Sequence, residues 1–588
     1  MREMTLLAGL QGLYQHSSMF RLRRPFWGAL IVGLLAPVSL FAQTSTTPGA
    51  LLLSATFEAA SVKAPFSGDT TANNSAVIRF RQTGSATWMN AYTPYIDRRA
   101  TIGGATNPYA NQARGSIVGL AANTSYDVQV TWTDPDGVTS QPAIASISTL
   151  TYTPPTGGSI ITVTNNATLA SALSTVNPGQ TIHMNPGTYS PFTIGRSGNA
   201  GAWIRIEGDS GGGTVVTGTG VNQNVSISAD FVIVQRLTLS ASDQNGIVLS
   251  GNRTHVLIQD NTLQNISAQC ASNPSGHYGD TGILVPVGDN IFILRNAVNS
   301  TALSSSSCTL NPIWDSPGAG IEWFTVTTLV VKDNTVTGGF RDAIVLDDDL
   351  TSENVDLSGN SVSGYKDDGM ESKGGNVNVR IWNNRITADQ ADSCIAGNTN
   401  SATDPYGPLY VFRNTCRVTT TNSQGTTVFK LVCPTPTYVF HNSMDASPAG
   451  VRWDGFVVGN AIIALNNILK TAGSAIDYGA GTFDYNVYAG NQSMTYRWNG
   501  TTDYATLADF RTGTGQETHG ISQDPRFTDT ALHINATSPA FESGVVIANF
   551  NDVNSAWPYA GSAPDIGAYE VPSTAQAPRP PTNLRIVP

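Results

Sequence analysis

A short sequence unit recurs along the chain from Gly246 onward and restricts the fold to a stack of similar coils. Each unit contains an asparagine that is followed at the second position by an apolar residue. These asparagines, spaced 19 to 38 residues apart, are Asn261, Asn296, Asn334, Asn360, Asn384, Asn414, Asn442, Asn467 and Asn486. Asparagine side chains that stack at a bend can satisfy the backbone groups of successive coils. The pattern therefore predicts a right-handed parallel β-helix.

A Gly-Ile-like pair precedes each asparagine and sets the register of the predicted strands. The pairs begin at Gly246, Gly282, Gly320, Ala343, Gly369, Cys394, Val428, Gly450 and Ala475. If the second residue of each pair points inward, the next residue points outward, because side chains alternate along a strand. One predicted outward column is Val248, Leu284, Glu322, Val345, Glu371, Ala396, Lys430, Arg452 and Asp477. A second is Phe324, Asp347, Lys373, Asn398, Val432 and Asp454. Trp323 and Trp453 then point inward, and the opposite register would bury most of the charges without partners.

The first 42 residues have the pattern of an export signal. Basic residues at 21–24 precede a short apolar run at 27–35, and a small residue, Ala42, follows. We expect cleavage after Ala42, with Met19 as an alternative start. The mature protein is then secreted, either to the periplasm or to the extracellular space.

The remaining chain divides by pattern into a sandwich, a linker, a β-helix and a tail. Residues 47–151 contain alternating segments of strand period and predict a small β-sandwich. Residues 152–158, with two prolines and two glycines, predict a linker. The β-helix is predicted for 159–573, and the proline-rich residues 574–588 are expected to be unstructured. The predicted fold class is therefore all-β, a parallel β-helix preceded by a β-sandwich.

Several segments resemble known families. Residues 120–130, with Tyr126 at the tyrosine-corner position, resemble a fibronectin type III domain, and such a module is expected to act as a spacer. Residues 177–189 resemble the first coil of secreted pectate-lyase-like and chondroitinase-B-like β-helix proteins. Residues 524–527, 538–540 and 565–570 resemble the terminal signature of the same group. The resemblance implies a polysaccharide-active protein without naming the reaction.

The charge of the chain excludes some partners. Only 12% of residues are charged, and the net charge of -11 provides no basic field for nucleic acid. No segment after the predicted signal is long and apolar enough to cross a bilayer. The expected partner is a polysaccharide substrate, with no nucleic acid and no membrane after signal cleavage, and the expected state is a monomer.

A local cluster of mixed charge on the outward columns is the predicted active site. Neighbouring coils are about 4.8 Å apart, so residues on adjacent coils can contact one sugar ring. Ala396 and Asn398 form a small floor between the charged residues, and an insertion with Tyr406 can wall the depression. The catalytic candidates are Lys430, Arg452, Lys373, Glu371 and Asp368. The candidate substrate-binding residues are Asp347, Asn398, Tyr406, Asp454 and Glu322.

The first candidate reaction is β-elimination from an acidic polysaccharide. Lys430 would be the base, and Arg452 would neutralise the uronate carboxylate or protonate the leaving oxygen. A neighbouring guanidinium disfavours the ammonium form of Lys430, which suits a base. Asp347, Glu371, Asp367 and Asp368 are candidate ligands of a calcium ion, the one cofactor expected. Glu371-Ser372-Lys373 and the Lys/Arg pair resemble the chondroitinase-B-like alginate lyases, although no Arg-His-Gly segment follows Lys373.

Two alternatives remain open. The segment from Asp367 to Gly375 resembles the Asp-Asp segment of polygalacturonases, and Asp342 lies one coil earlier, so paired carboxylates could hydrolyse a glycosidic bond. That family's Gly-His-Gly is absent, because this chain has Asp392-Ser393-Cys394 on the next coil. A non-catalytic glycan-binding or adhesin β-helix is the third hypothesis. It would favour an aromatic ladder on the outward columns, where only Phe324 is found.

The five cysteines fit an oxidising compartment. Cys270 and Cys308 fall in corresponding insertions of adjacent coils and are predicted to form a disulfide. A second bridge between Cys416 and Cys433 would leave Cys394 as a buried thiol. His277 and Asp280 lie in a long insertion and are interpreted as loop residues rather than metal ligands.

Overall fold

The computed structural model describes residues 44–102, 104–218, 220–266, 280–300, 318–346, 351–373, 375–389, 391–397, 407–420, 426–431, 436–447, 462–471, 475–479, 481–490 and 495–572. The predicted signal and the proline-rich tail lie outside these ranges. No helix within them is both long and apolar enough to span a membrane.

The N-terminal part of the chain forms two antiparallel sheets that pack face to face. The five-stranded sheet contains Thr46–Pro48, Leu52–Ala55, Ala59–Gly68, Tyr95–Asp97 and Gln112–Val118. The four-stranded sheet contains Ser75–Gln82, Met89–Asn90, Ser125–Thr133 and Ala145–Ser148, and a small ribbon pairs Thr101–Ile102 with Ala105–Thr106. Alternating residues such as Ile78, Phe80, Val128 and Val130 fill the space between the sheets. This is the β-sandwich that the strand period predicts.

The rest of the chain is a parallel β-helix, and we name its three columns of strands face A, face B and face C. Face A contains Phe192–Ile194, Gln223–Ile227, Asn245–Leu249, the first halves of Thr281–Leu294 and Ala319–Lys332, Asp342–Leu346, Asp368–Ser372, Ser393–Ala396 and Thr427–Lys430. Face B contains Ile160–Val163, Thr181–Met184, Ile204–Gly208, Val232–Gln235, Arg253–Gln259, the second halves of the two long strands, Thr351–Ser358, Gly375–Trp382, Leu409–Phe412, Thr437–Phe440, Ile462–Leu465 and Gly481–Asp484. Faces A and B belong to one 20-stranded sheet.

Face C is a separate 13-stranded parallel sheet. It contains Gly187–Tyr189, Thr214–Thr217, Thr238–Ser240, Thr262–Gln264, Ala297–Ser300, Thr335–Gly338, Ser361–Ser363, Arg385–Asp389, Thr415–Thr420, Ser443–Ala446, Ile468–Thr471, Val487–Gly490 and Ile521–Ser522. Ile476–Gly479, Tyr496–Trp498 and Thr502–Tyr504 form a small sheet near the end. Helix Asn166–Thr175 lies at the start, where Leu169 and Ala172 close the apolar interior, and helix Leu507–Thr514 lies near the other end.

The nine repeated asparagines form one continuous ladder at the turn between faces B and C. From Asn261 to Asn486, the backbone N–H and the Nδ2 of each asparagine donate to the Oδ1 of the next, at 2.8–3.1 Å. The residue before each asparagine has a left-handed backbone conformation, with φ between 53° and 66°. Glu517 ends the ladder by accepting from Asn486 Nδ2 at 2.7 Å. The ladder is confirmed in full.

The Gly-Ile-like pairs have a steric cause. A Cβ atom built on Gly282 would lie 2.4 Å from the carbonyl oxygen of Gly320, and one on Gly320 would lie 2.5 Å from that of Ala343. Gly246 and Gly369 face the next coil in the same way. The first residue of the pair is small because the backbones of neighbouring coils approach most closely there.

We expect the substitution Asn384→Ala to destabilise the protein strongly. Asn384 Oδ1 accepts two hydrogen bonds from Asn360, and its Nδ2 donates to Leu357 O at 2.9 Å and to Asn414 at 2.9 Å. Stranding these buried groups costs about 3 kcal/mol of the free energy of unfolding. The measurement is the denaturant midpoint, compared with that of Asn222→Ala at an exposed position. Equal midpoints for the two variants would contradict a stabilising ladder.

The β-sandwich is fixed against face B by polar contacts. Arg114 Nε donates to Gly407 O at 2.9 Å, and the Ser116 N–H donates to the hydroxyl of Tyr410 at 3.1 Å. The C-terminal segment joins both parts, because the amide side chain of Asn549 exchanges two hydrogen bonds with the backbone of Val118, at 2.8 and 2.9 Å. The sandwich therefore packs directly against face B and the C-terminal segment, and its expected role as a spacer stays a prediction.

Residues 152–158, predicted as a linker, are also packed. The ring of Tyr152 stacks on Phe57 with a centroid distance of 4.2 Å, and Phe57 contacts Phe292 of face B at 4.9 Å. The carbonyl of Pro155 accepts from the N–H of Trp203 at 2.8 Å. The segment therefore contacts the sandwich through Tyr152 and the β-helix through Pro155.

An aromatic surface of face B lies beneath the sandwich and the C-terminal segment. Trp382, Phe412 and Phe440 are paired in register on successive coils, as are Tyr410 and Tyr438. Ala59 and Val118 of the sandwich and Phe550 and Trp557 of the C-terminal segment pack against them. The rings of Trp382 and Phe412 are nearly parallel, with centroids 5.7 Å apart. This cluster buries aromatic rings between the β-helix, the sandwich and the C-terminal segment.

A buried guanidinium lies in the contact between the sandwich and face B. Arg380 of face B is fully buried, and its Nε donates to Asp356 at 2.5 Å. Its Nη2 donates to Asn354 at 2.8 Å, and its Nη1 reaches across to Ser116 of the sandwich at 3.1 Å. Every charge in this network is therefore paired.

Replacing Arg380 by methionine should weaken the docking of the sandwich. The change leaves Asp356 buried without its cation, which costs about 3–5 kcal/mol. We expect a lower melting temperature and faster proteolysis between the two parts. The control Arg79→Met, at an exposed position of the outer sheet, should change stability by less than about 0.5 kcal/mol. Identical behaviour of the two variants would show that the network does not hold the interface.

Candidate functional site

The outward column predicted on face A is confirmed over seven coils. Val248 pairs with Leu284, Leu284 with Glu322, Glu322 with Val345, Val345 with Glu371, Glu371 with Ala396, and Ala396 with Lys430. Trp323 points into the interior as predicted, where its Nε1 donates to Ser352 at 3.2 Å. The side chains of Arg452, Asp347, Asn398, Tyr406, Asp454, Val432, Trp453 and Asp477 lie outside the described residues.

Five carboxylates converge on the middle of face A. Asp342, Asp368 and Glu371 have carboxylate oxygens that all lie within 4.8 Å of one another, and all three residues are buried. Asp367, Asp368 and Asp392 form a second group with the same spacing, in which Asp367 and Asp392 are half-buried. The two groups share Asp368, and their members lie on or directly before the strands that begin at Asp342, Asp368 and Ser393.

The strand register explains this convergence. Asp342, Asp368 and Ser393 each stand one residue before a Gly-Ile-like pair, and Asp368 pairs directly with Ser393. The Asp368 N–H donates to Asp342 Oδ1 at 3.0 Å, and Arg341 Nε donates to Asp342 Oδ2 at 2.7 Å. Ser393 Oγ donates to Asp368 Oδ1. The position before the pair thus forms a further column that the sequence analysis did not extract, although its repetition could be read from the sequence.

Two lysines lie against the carboxylates. Lys430 Nζ is 3.1 Å from Asp392 Oδ2 and 3.4 Å from Asp368 Oδ2, and about a quarter of its side chain is exposed, 24%. Lys373 Nζ is 3.2 Å from Glu371 Oε2. With Arg341, the cluster has three basic groups for five carboxylates, so its described part has an excess of negative charge.

Burial and mutual repulsion raise the pKa values of the carboxyl groups. Burial, followed by the charges of Asp368 and Asp342, raises the pKa of Asp367 to about 8 and that of Glu371 well above its usual range. Burial also raises the pKa of Asp368, against the effects of Lys430 and Ser393. The protein alone therefore does not neutralise this cluster.

The electrostatic surroundings of Lys430 differ from the prediction. A guanidinium neighbour was expected to lower its pKa, but its described neighbours are carboxylates. Burial alone would lower the pKa of Lys430, and Asp368, Asp367 and Asp392 outweigh burial and raise it above its usual value. In the structure as it stands, Lys430 is therefore an ammonium ion.

The donor set suits a hard divalent cation. All five acidic groups offer oxygen, which Ca²⁺ prefers; Asp342, Asp368 and Glu371 lie in strands, and Asp367 and Asp392 directly precede strands. The buried Oε2 of Glu371 has no hydrogen-bond partner among the described residues; Lys373 Nζ lies 3.2 Å from it, and the carboxylates of Asp342 and Asp368 are also close. Asp342, Asp367, Asp368 and Glu371 can therefore hold a cation. Asp347, a predicted ligand, lies outside the described residues.

Four other positions considered in the sequence lie apart from the cluster or outside the described residues. Glu322 lies two coils before Glu371, separated from it by Val345, and it accepts from Thr281 Oγ1 at 2.5 Å. Its described contact is therefore with the preceding coil. Cys270, Cys308 and His277 lie outside the described residues.

A disulfide among the described residues contradicts the predicted bridge between Cys416 and Cys433. Cys394 and Cys416 are bonded with an S–S length of 2.03 Å, so Cys394 is not a free thiol and Cys416 is not paired with Cys433. Both residues are fully buried. The bond joins face A to face C across the interior of one coil, directly behind Ser393, because the position of the small first residue of the pair faces the opposite column.

No family model and no curated protein matches the chain. Among solved structures, an alginate lyase from Paenibacillus sp. str. FPU-7 is 16% identical, with a TM-score of 0.35, 52% of this chain covered and 99% of that chain. Pectate lyase Pel9A is 15% identical, with a TM-score of 0.40, 71% of this chain covered and 98% of that chain. An alginate lyase of the PL6 family, AlyGC, in its R241A mutant, is 12% identical, with a TM-score of 0.36 and coverages of 66% and 60%. At these values, the similarity identifies neither the reaction nor the substrate of this chain.

The raised pKa values predict how stability depends on pH. The folded protein holds the proton of Asp367 up to a pKa of about 8, whereas the unfolded chain releases it near 4. This group therefore lowers the free energy of unfolding as the pH rises from about 4 to 8. In chelator, we expect the melting temperature to fall between pH 5 and pH 8, and to fall less in Asp367→Asn.

Calcium should reverse this fall, because a cation and protons compete for the same oxygens. The increase in melting temperature on adding Ca²⁺ should be larger at pH 8 than at pH 5 in the unmodified protein and should shrink in Asp367→Asn. The exposed Asp136 provides the control, since Asp136→Asn should behave like the unmodified protein. A calcium effect that is unchanged in Asp367→Asn would rule out Asp367 as a ligand.

Proposed function

We propose that the chain is a secreted, calcium-dependent lyase that cleaves a uronic-acid polysaccharide by β-elimination. One observation carries this proposal: the buried carboxylates of Asp342, Asp368 and Glu371, on two successive strands of face A, and the half-buried carboxylates of Asp367 and Asp392 converge beside the half-buried Lys430. A site of this kind offers a cation position and a basic side chain within reach of the same sugar residue, since neighbouring coils are about 4.8 Å apart.

Asp342, Asp367, Asp368 and Glu371 would hold the cation. Asp342 is oriented by Arg341 and by the backbone of Asp368, and Asp368 is oriented by Ser393. When bound, a calcium ion supplies positive charge that acidifies the proton beside the substrate carboxylate and offsets the carboxylates that raise the pKa of Lys430.

Lys430 is the proposed base. In the reaction, its Nζ takes the proton from the carbon next to the uronate carboxyl group. The released electron pair forms a carbon–carbon double bond, the glycosidic carbon–oxygen bond breaks, and the leaving oxygen takes up a proton from solvent. Arg452, which lies outside the described residues, keeps its predicted role of neutralising the substrate carboxylate.

The described geometry favours elimination over hydrolysis. Asp342 is fully buried and Asp368 is 1% exposed, and both use their oxygens in contacts within the protein. Their oxygens lie within 4.8 Å of one another, whereas the acid and base of glycosidases are about 5–9.5 Å apart. Such groups are better placed to bind a cation than to flank a glycosidic bond.

A purely glycan-binding role has less support. The aromatic ladder that such a role would use is on face B, where Trp382, Phe412 and Phe440 are covered by the sandwich and the C-terminal segment. We propose that the sandwich, a fibronectin type III-like module, braces the coils behind the site. The hydroxyl of Tyr126 accepts from the Ala121 N–H at 2.9 Å, as a tyrosine corner requires. Export of the chain and a monomeric state are part of this proposal.

The test is the ultraviolet absorbance of unsaturated uronate products, measured with several acidic polysaccharides in Ca²⁺ and in chelator. We expect activity in Ca²⁺ only and a loss of about 10³-fold in kcat for Lys430→Ala. Lys470→Ala is the matched control, because Lys470 lies on face C, away from the cluster, where it pairs with Asp524. Calcium affinity, measured by calorimetry, should fall in Asp368→Asn and stay unchanged in Lys470→Ala.

The outcomes separate the alternatives. Full activity of Lys430→Ala would remove Lys430 as the base. New reducing ends without unsaturated products would show a hydrolase, and binding without either product would show a glycan-binding protein.

A further inference from the structure

Face A changes character on the coils that precede the carboxylate cluster. Most outward residues there are apolar and half-buried, namely Val248, Leu284, Pro286 and Phe324, with Val287 exposed at 38% beside them; the same column also contains the buried Glu322. We name the five apolar residues the apolar row. Strand pairing makes the row continuous with the cluster, because Val248, Leu284, Glu322, Val345 and Glu371 follow one another in register.

The basic residues of this part of the chain lie elsewhere. Between residues 220 and 340, the basic residues are Arg236, Arg253, Arg295 and Lys332. All four lie on face B or at its edges, and each pairs with a carboxylate there: Glu207, Asp230, Asp260 and Glu58, respectively. The insertions at 267–279 and 301–317 contain no lysine or arginine in their sequences. Lys373 and Lys430 belong to the coils of the cluster itself.

A polymer of uronates would place a carboxylate on each coil of face A that it crosses. Against the apolar row, such a carboxylate would lose water without gaining a cation, which is unfavourable. Binding of an uncharged sugar residue to the apolar row is favourable, because the apolar face of its ring can pack on Phe324 and Leu284 while its hydroxyls stay in water. The surface therefore discriminates between charged and uncharged residues next to the cleavage site.

We infer that the substrate residues bound on the apolar row carry no free carboxylate. This inference rests on the proposed function and specifies its substrate class: a uronate is bound at the carboxylate cluster, and uncharged residues are bound on the preceding coils. Such residues are either neutral sugars that alternate with uronates or uronates whose carboxyl groups are esterified.

Three polymers test the inference and distinguish the two sources. They are a fully de-esterified polyuronate, the same polymer partly methyl-esterified, and a heteropolymer that alternates uronate with neutral sugar. We expect kcat/KM to be at least about 10-fold higher for one of the latter two, which corresponds to about 1.4 kcal/mol. The better of the two identifies the source of the uncharged residue.

Two variants connect this preference to the apolar row. Phe324→Ala should lower kcat/KM for the preferred polymer by a larger factor than that for the polyuronate. Leu284→Lys introduces a cation at a half-exposed position and should raise kcat/KM for the polyuronate. Val77→Lys, at an exposed position of the sandwich, is the matched control for the added charge and should change neither value.

Failure of this inference and failure of the proposed function give different results. Fastest cleavage of the de-esterified polyuronate, with no change in Leu284→Lys, would overturn this inference and leave the proposed function in place. Absence of unsaturated product from all three polymers, in a protein whose calorimetric calcium affinity is normal, would overturn the proposed function and this inference with it.

Discussion

The asparagine ladder is the interaction on which the rest of the structure depends. Each asparagine satisfies its own coil and the next, so the stacking distance of all coils from Asn261 to Asn486 is set at a single turn. The left-handed residue before each asparagine reverses the chain at the same place in every coil. With this spacing fixed, side chains on faces A and B form straight columns, and both the acidic cluster and the aromatic surface consist of such columns.

Face B is covered by other parts of the chain and face A carries charged groups, and this difference has a physical reason. Face B presents aromatic rings, whose exposure to water is unfavourable, and the sandwich and the C-terminal segment bury them. Polar groups inside the contact are paired, as in the network of Arg380 with Asp356 and Ser116. Face A carries the acidic cluster and half-exposed lysines. The sandwich thus packs on face B, whereas the acidic cluster lies on face A.

In the cluster on face A, burial and the mutual repulsion of the carboxylates oppose ionisation, and the neighbouring basic groups favour it. Asp368 lies in two overlapping groups of carboxylates, and their oxygens are closer together than unscreened charges prefer. Arg341, Lys373 and Lys430 compensate part of this charge, and raised carboxyl pKa values show that the compensation is incomplete. Functional sites commonly keep such electrostatic strain, and here a rigid stack of strands maintains it. A cation would complete the balance.

The sequence by itself determined the repeating architecture, the inward and outward register and the position of Lys430 and Glu371 on one column, because these follow from a local period. The tertiary structure decided which carboxylates meet, since Asp342, Asp368 and Ser393 become neighbours only when three coils stack. It also decided that Cys394 bonds to Cys416 across the interior, and that the sandwich lies on face B. These contacts join residues distant along the chain, and their partners are selected by packing and charge rather than by any local pattern.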